Sequence, residues 1–488
     1  MSTVAMRWID RAIGVVSTLV LARLLVPDDF GIVAMASLVV AFVDTVFDIG
    51  VNVALVQRKN PSQAYYNTAW TMRILQACCV ATLLAVVAPF AADYYRDPRV
   101  TAAIWMMASS VLILACENIG IVSFQKELNF AAEARFLLFK RLVGFTVTIV
   151  LTLILRDYWG MLFGALCGRL IGTLRSYQVH PMRPRFALSE FRDIFSISVW
   201  LMVKNISQYL DRNLHVVVVG GVSKTAVTGG YTLANEVSDI PGTDLLAPIN
   251  RVLFPVFVRA RDDLRELTRL LVQAQSVQVA IVFPICIGFV MTAADVVPLA
   301  LGAKWTFIVP FIQVLALSNI ILSINSSANY VLTVIGKVRL LAVSSWTQIG
   351  VFCIGLLLFH SQLEAQLVAQ IRLVAIVLTF GVSFYILLKH LPTMSVGLLL
   401  KGVARPTLGC AAMALALSAT GRLALPPWPM LALKVAVGGV VYCGVVWLLW
   451  LAVGRPEGAE SYVLSKIRRR KPHAAAAATG KAGGAAAD

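Results

Sequence analysis

Lys204, Gln208, Asp211 and His215 follow one another in steps of four, three and four residues through an otherwise apolar run. On a helix that spacing puts all four on one face, with Asn205 and Arg212 beside them. The next run repeats the pattern with Thr232, Glu236, Asp239 and Thr243. Asp44, Asp48 and Asn52 make a similar stripe earlier in the chain, and Asn319, Ser323, Asn325, Ser326, Ser327 and Asn329 crowd one later run. Single charges interrupt other runs: Arg11, Arg73, Glu117, Lys140, Arg141, Arg169, Arg251 and Arg372. Cations of this kind bind anions, amides and hydroxyls bind polyols, and Asp211, His215, Glu236 or Asp239 can take a proton or a small cation.

The elements that hold these residues are long and apolar. Hydrophobic residues make up 59% of the 488 residues and charged ones only 14%, with a mean hydropathy of +0.81. A soluble domain is about 25% charged. Fourteen runs approach the roughly 20 residues that a helix needs to cross a bilayer: 6–26, 31–56, 67–92, 100–124, 136–155, 159–180, 193–220, 229–257, 270–292, 306–335, 340–360, 365–389, 400–420 and 430–453. Twelve spans result if one pair is not crossing. The start lacks a small-residue cleavage site and reads as a retained first helix. The expected class is an all-α integral membrane protein. A weak repeat links Leu24–Gly31 to Val222–Tyr231, and Ala92-Asp93 to Ala294-Asp295. It predicts two six-helix lobes, 1–180 and 181–392, related by a pseudo-two-fold axis along the membrane normal. A further helix pair covers 393–454, and a basic, Ala/Gly-rich tail over 455–488 reads as disordered.

Lys and Arg concentrate in loops after even-numbered spans, as in Arg183, Arg185 and Arg192, which places both termini in the cytoplasm. The net charge of +17 is assigned to loops against anionic lipid, and nucleic acid is excluded as a partner. The eight cysteines lie in apolar runs without metal-ligand spacing and read as packing residues; no metal or other cofactor is expected. Pro89, Pro241, Pro248, Pro255 and Pro284 can bend their helices.

A charge at the helix centre costs about 2.5–3.5 kcal/mol on insertion scales, so these residues should face water or one another. One reading is a central aqueous cavity for an anionic, sugar-bearing headgroup. Its candidate lining is Arg11, Asp48, Arg73, Glu117, Lys204, Asn205, Gln208, Asp211, Arg212, Glu236, Asp239, Asn319, Asn325 and Arg372. Asp211, His215, Glu236 and Asp239 are the ion-coupling candidates. The other reading is interhelical pairing, which applies most to Arg141, Arg169 and Arg251 near predicted helix ends. For His215, satisfied packing competes with proton transfer.

Three segments in order resemble bacterial polysaccharide flippases: Ala22–Ala36, Asp48-Ile49-Gly50 with Ala54–Arg58, and Arg251–Phe257. The resemblance covers about residues 7 to 390 and is closest to the Wzx-type, colanic-acid-exporter-like branch of the multidrug/oligosaccharidyl-lipid/polysaccharide exporter superfamily. Asp28 stands where many relatives carry Glu. The resemblance implies a non-enzymatic flippase of the bacterial inner membrane. Such a protein moves undecaprenyl-pyrophosphate-linked oligosaccharide outward for exopolysaccharide or O-antigen (lipopolysaccharide) assembly, beside a polymerase and glycosyltransferases. The alternatives are a multidrug or other lipid exporter of that superfamily and, from another class, a membrane glycosyltransferase or polymerase. The last should need a long extramembrane loop with acidic residues, which the sequence lacks.

Overall fold

The structure, a computed structural model, describes residues 3–58, 61–127, 129–196, 198–243, 245–421 and 425–454; the predicted tail from 455 lies outside the described residues. Every regular element among the described residues is a helix. First come α1 (Thr3–Leu24), α2 (Pro27–Phe47), α3 (Val51–Gln57), α4 (Gln63–Tyr95), α5 (Arg99–Ala115) and α6 (Val122–Lys126). Then follow α7 (Phe130–Leu155), α8 (Tyr158–Val179), α9 (Phe191–Ser196), α10 (Ser198–Val222), α11 (Thr225–Thr243) and α12 (Ala247–Arg259). The chain continues with α13 (Leu264–Ala300), α14 (Val309–Val334), α15 (Val338–Leu358), α16 (Ala365–His390), α17 (Val396–Thr420) and α18 (Pro427–Ala452).

Local sequence sets the helix starts. Ser62, Asn129, Asp157 and Ser395 cap α4, α7, α8 and α17 by accepting from backbone N–H groups of the first turn. Pro27 and Pro427 occupy first positions, where no N–H is needed. Each of the fourteen apolar runs holds a helix or a helix pair. Among the described residues nine helices are long and apolar enough to cross a membrane, and α5 with the helical segment Ile119–Lys126, bent by 66°, is a tenth if that pair forms one broken span rather than a re-entrant loop. The spans that fall short, α1, α8, α10 and α11, carry the charges Asp10, Arg11, Arg169, Asp211, Arg212, Glu236 and Asp239. The least apolar helices are therefore those bearing most of the chemistry.

The chain forms two compact units. One comprises Met1–Glu236, Val297–Phe311 and Ser345–Arg372; the other comprises Val237–Val296, Ile312–Ser344 and Leu373–Asp488. In the first, Ile32, Met35, Leu84, Ile104 and Leu162 from α2, α4, α5 and α8 share one apolar core. Beside it, α7 and α8 meet along Gly160, Gly164, Gly168 and Gly172, four residues apart. A methyl at Gly160 would lie 2.5 Å from Thr152 Cα, and one at Gly168 would lie 2.7 Å from Gly144 Cα; at Gly164 it would overlap Thr148. Such backbone approach is how helices associate where lipid supplies no hydrophobic drive. In the second unit α17 and α18 are fixed to α13. Lys434 pairs with Asp295 at 2.5 Å, and Tyr442 Oη donates to Ala280 O at 2.7 Å.

Candidate functional site

Two predicted spans are each built of two helices: α2 and α3 part at 48–50, and α11 ends at Thr243 before α12 begins at Ala247. Paired interruptions of this kind mark midplane sites in proteins with internal repeats. At the first break Gly50 takes a left-handed φ of 63°, which glycine adopts without strain. Asp48 holds the corner: its carboxylate accepts from Gly50 N at 2.9 Å and from Asn205 Nδ2 at 3.3 Å. The stripe residue Asn205 thereby ties α10 to the corner.

The first unit gathers most of the other candidates on α10, α11, α15 and α16. Gln348 donates to Asp211 at 2.6 Å, and Arg372 donates to Asn235 at 3.1 Å. Arg372 also lies within electrostatic reach of Asp211 and His215. Its Nε is buried and has no hydrogen-bond partner among the described residues. His215 is buried; its Nε2 donates to Arg212 O at 3.0 Å and its Nδ1 meets Tyr231 Oη at 2.8 Å. Gln208, Arg212 and Glu236 are exposed on the same helices, and Arg11 is half-buried on α1. Lys204 lies on α10 and Arg251 on α12, but their side chains are outside the described residues.

Arg73 and Glu117 are placed differently. Arg73 donates to the carbonyls of Ala115 and Glu117, capping the end of α5 where that span bends. Glu117 accepts from Lys140 in a close ion pair. The second unit holds Asp239, Asn319 and Asn325. Asn319 donates to Ser238 O and Asp239 at 2.9 and 3.0 Å, stitching α14 to α11; Asn325 is half-buried. The sequence reading missed the buried Gln278, which donates to Asn250 at 2.9 Å and accepts from Ser327 at 2.5 Å. Three amides in a long apolar helix, Gln273, Gln275 and Gln278, were the available signal.

The sequence reading gave Arg141 to interhelical pairing without a partner, and the partner is Asp10 on α1. Arg141 Nε lies 3.3 Å from Asp10 Oδ1, with 48% and 60% of the side chains exposed. Arg141 sits about 16 Å into α7, a helix about 39 Å long.

The turn before α2 and the start of α11 meet. A methyl on Gly31 would overlap the Thr225 carbonyl, and one on Gly229 would overlap Pro27 O and lie 2.5 Å from Gly31 N. Pro27 and Gly31 thus contact Gly229 and Thr225 by exchange, as in a contact across a two-fold axis. Side chains reinforce the contact. Trp305 Nε1 donates to Ala22 O at 2.9 Å, and Lys304 donates to Arg23 O and Leu25 O at 3.0 and 2.6 Å. Arg23 in return donates to Leu299 O and Ala300 O, so α1 caps the C-terminus of α13 while the turn after α13 caps that of α1. Asp97 accepts from Arg99 at 3.0 and 2.8 Å and from Thr225 at 2.9 Å. Burial pushes the Asp97 carboxyl up, but these hydrogen bonds outweigh it and hold the group below the usual carboxylate range.

The sequence family described as polysaccharide biosynthesis protein matches residues 20–310. The lipopolysaccharide biosynthesis protein WzxC of Escherichia coli (strain K12) is 26% identical over 322 residues, 64% of this chain and 65% of that protein. The chain thus spans just under two thirds of that relative. The teichuronic acid biosynthesis protein TuaB of Bacillus subtilis (strain 168) is 23% identical over 439 residues, 88% of this chain and 89% of that one. Among solved structures, lipid II flippase MurJ in its inward closed conformation matches with a TM-score of 0.76 at 11% identity, covering 92% of this chain and 98% of that one. An inward-facing multidrug resistance MATE family transporter of the MOP superfamily matches at 0.59 and 12%, covering 81% and 97%. The fold is that of these all-α, multi-pass membrane proteins.

Proposed function

This chain belongs to the polysaccharide biosynthesis protein family, and from that premise we propose that it is a flippase for undecaprenyl-pyrophosphate-linked oligosaccharide. It works in the bacterial inner membrane with both termini cytoplasmic, and it serves exopolysaccharide or O-antigen assembly beside a polymerase and glycosyltransferases. The carrying observation is the half-exposed Asp10–Arg141 pair, which joins α1 and α7 of this multi-pass membrane fold. Charges on membrane-spanning helices are tolerated only against water or protein, and a wet path beside α1 and α7 fits this pair.

Such a path stands in for water around the sugar head while the prenyl tail stays in lipid. Each hydroxyl left unpaired in hydrocarbon would cost several kcal/mol. Lobes 1–180 and 181–392 open alternately to the two leaflets. The joined turns around Gly31 and Gly229 belong to the outer side and part when the path opens outward. A pyrophosphate carrying about two negative charges gains roughly 4.6 kcal/mol on moving outward across 100 mV, inside negative, so the potential alone can drive export.

The test uses proteoliposomes loaded on one leaflet with fluorescent polyprenyl-pyrophosphate oligosaccharide, read by accessibility to an external sugar-modifying enzyme. Faster exposure than in empty liposomes, accelerated by an imposed potential, is expected. No acceleration over empty liposomes, together with efflux of lipophilic cations, would replace this reading with the drug-exporter one.

A further inference from the structure

We propose that His180 is a proton-operated latch: neutral, its ring fastens the strap 181–190 to the end of α8 and to the bend after α5, and protonated, it lets the strap go. His180 follows Val179, the last residue of α8, and stands just outside that helix. From Pro181 to Leu188 the chain forms no helix, and side chains tie its backbone down instead. Arg185 N donates to Asn67 Oδ1 at 3.1 Å, Ala187 N to Thr71 Oγ1 at 3.0 Å and Glu190 N to Thr68 Oγ1 at 3.4 Å, all on the early turns of α4. The first tie is His180 itself, whose Nδ1 accepts from Met182 N at 3.2 Å.

A backbone N–H can only donate, so Nδ1 carries a lone pair and the ring is neutral. Its proton is then on Nε2, which donates to Ser123 Oγ of α6 at 3.2 Å. The ring lies on the bare backbone of Gly120, where a methyl would overlap it, and edge-on to Phe124 with centroids 5.7 Å apart. The buried Asn118 donates through Nδ2 to His180 O at 3.1 Å and to Met182 O at 2.9 Å. A second proton would sit on Nδ1 and point at the Met182 N–H. Two donors would then face each other, and the tie would be lost. Burial opposes the charged ring most, Arg183 on the strap opposes it too, and Glu127 after α6 favours it; the balance holds the ring below its ordinary value of 6.5. Arg183 is kept close by donating to His180 O and Met182 O at 3.0 and 2.9 Å. The latch is therefore fully fastened above 6.5 and releases as pH falls through the lower folded value. The strap leads into α9 and α10. In the orientation proposed above it senses the cytoplasm; that compartment rests on the flippase reading, whereas the latch does not.

The experiment is hydrogen exchange of the purified full chain, read on peptides covering 181–190 and corrected for the chemical rate at each pH; it needs no substrate. Between about pH 7.5 and 5.5 the strap should lose about threefold to tenfold of its protection, the equivalent of one net hydrogen bond, while the α7–α8 seam keeps its own. His180→Asn keeps an acceptor at the δ position and cannot charge, so its strap should stay protected at both pH values. His180→Leu should be loose at both. Glu127→Gln removes the group that favours the charged ring and should move release to lower pH, a shift that a merely packed ring does not predict. Nitrogen NMR of the wild-type imidazole should show Nδ1 without a proton at neutral pH. Wild-type protection that is equal at both pH values, or His180→Asn losing protection on acidification as wild type does, overturns the latch. If His180→Leu does not fold, wild type and His180→Asn decide.

Discussion

Replacing Trp305 by Phe removes one hydrogen bond from the joined turns and leaves most of the ring. Trp305 is fully buried, and its indole donates to Ala22 O at 2.9 Å. Phenylalanine cannot donate, so while the turns stay joined the Ala22 carbonyl is orphaned. That costs about 1–3 kcal/mol. Once the turns part, water reaches the carbonyl and the penalty disappears. Taking about 2 kcal/mol, the ratio of joined to parted turns falls roughly thirtyfold. Spin labels at Val26 and Thr306, both exposed, report the separation. Wild type should show a short distance, and Trp305→Phe should add a longer one and speed outward exposure of substrate. A distance distribution identical to wild type, accompanied by a lower Tm, would mean that Trp305 only stabilises the fold, and the gate argument would fail.

Gly164→Leu should break the α7–α8 seam, lowering Tm in detergent by more than Gly172→Ala; the first meets Thr148 backbone, the second only the flexible Lys140 stem at 2.9 Å. Overpacking of this kind costs about 1–3 kcal/mol. Gln278→Leu strands Asn250 and Ser327, and unfolding measured in detergent should register a loss of about 1–3 kcal/mol. The Asp97 carboxyl is held below its usual value of 3.8, so its contribution to the joined turns is complete above that value and is lost as pH falls through the lower folded one. Between pH 8 and 5 the Val26–Thr306 distance should be constant, and below about pH 4 it should lengthen in wild type, whereas Asp97→Asn should remove this acid dependence.

The apolar runs were legible because hydrocarbon length is a strong constraint, and every one of them holds a helix. The break at Asp48-Ile49-Gly50 was not. Its signal is one glycine, and the corner depends on Asn205, far away in sequence. The Gly160, Gly164, Gly168, Gly172 ladder is plain in the sequence at four-residue spacing, but only the structure shows Thr148 and Gly144 opposite it. Stripes on α10 and α11 were readable as faces, since helical periodicity fixes a face. Which neighbour each side chain meets was not readable. Arg73 has the same charge and apolar setting as Arg372, yet one caps α5 and the other sits beside Asp211. Arg141 looked like a residue near a helix end. Its partner, Asp10 of α1, was not readable, because a helical pattern does not name the neighbouring helix.

Two kinds of contact hold the first unit together, and they differ in what water can do to them. The α7–α8 seam is backbone against backbone through glycine and threonine. Separating it exposes surfaces that gain nothing from water and lose dispersion contacts outright. The joined turns are instead held by Trp305, Lys304, Arg23, Arg99 and Thr225 donating to carbonyls and one carboxylate at helix ends. Each such bond is worth only about 0.5–1.5 kcal/mol net, because water replaces it when the groups part. Even the glycine contact at Gly31 and Gly229 brings together first helical turns, whose N–H groups lack partners within the helix. The seam therefore has no inexpensive open state, whereas the turns have one as soon as water enters. A protein that must open one face while keeping its helices bundled needs this division. Helix-end polar groups belong at the moving contact, and small residues in mid-helix belong at the fixed one.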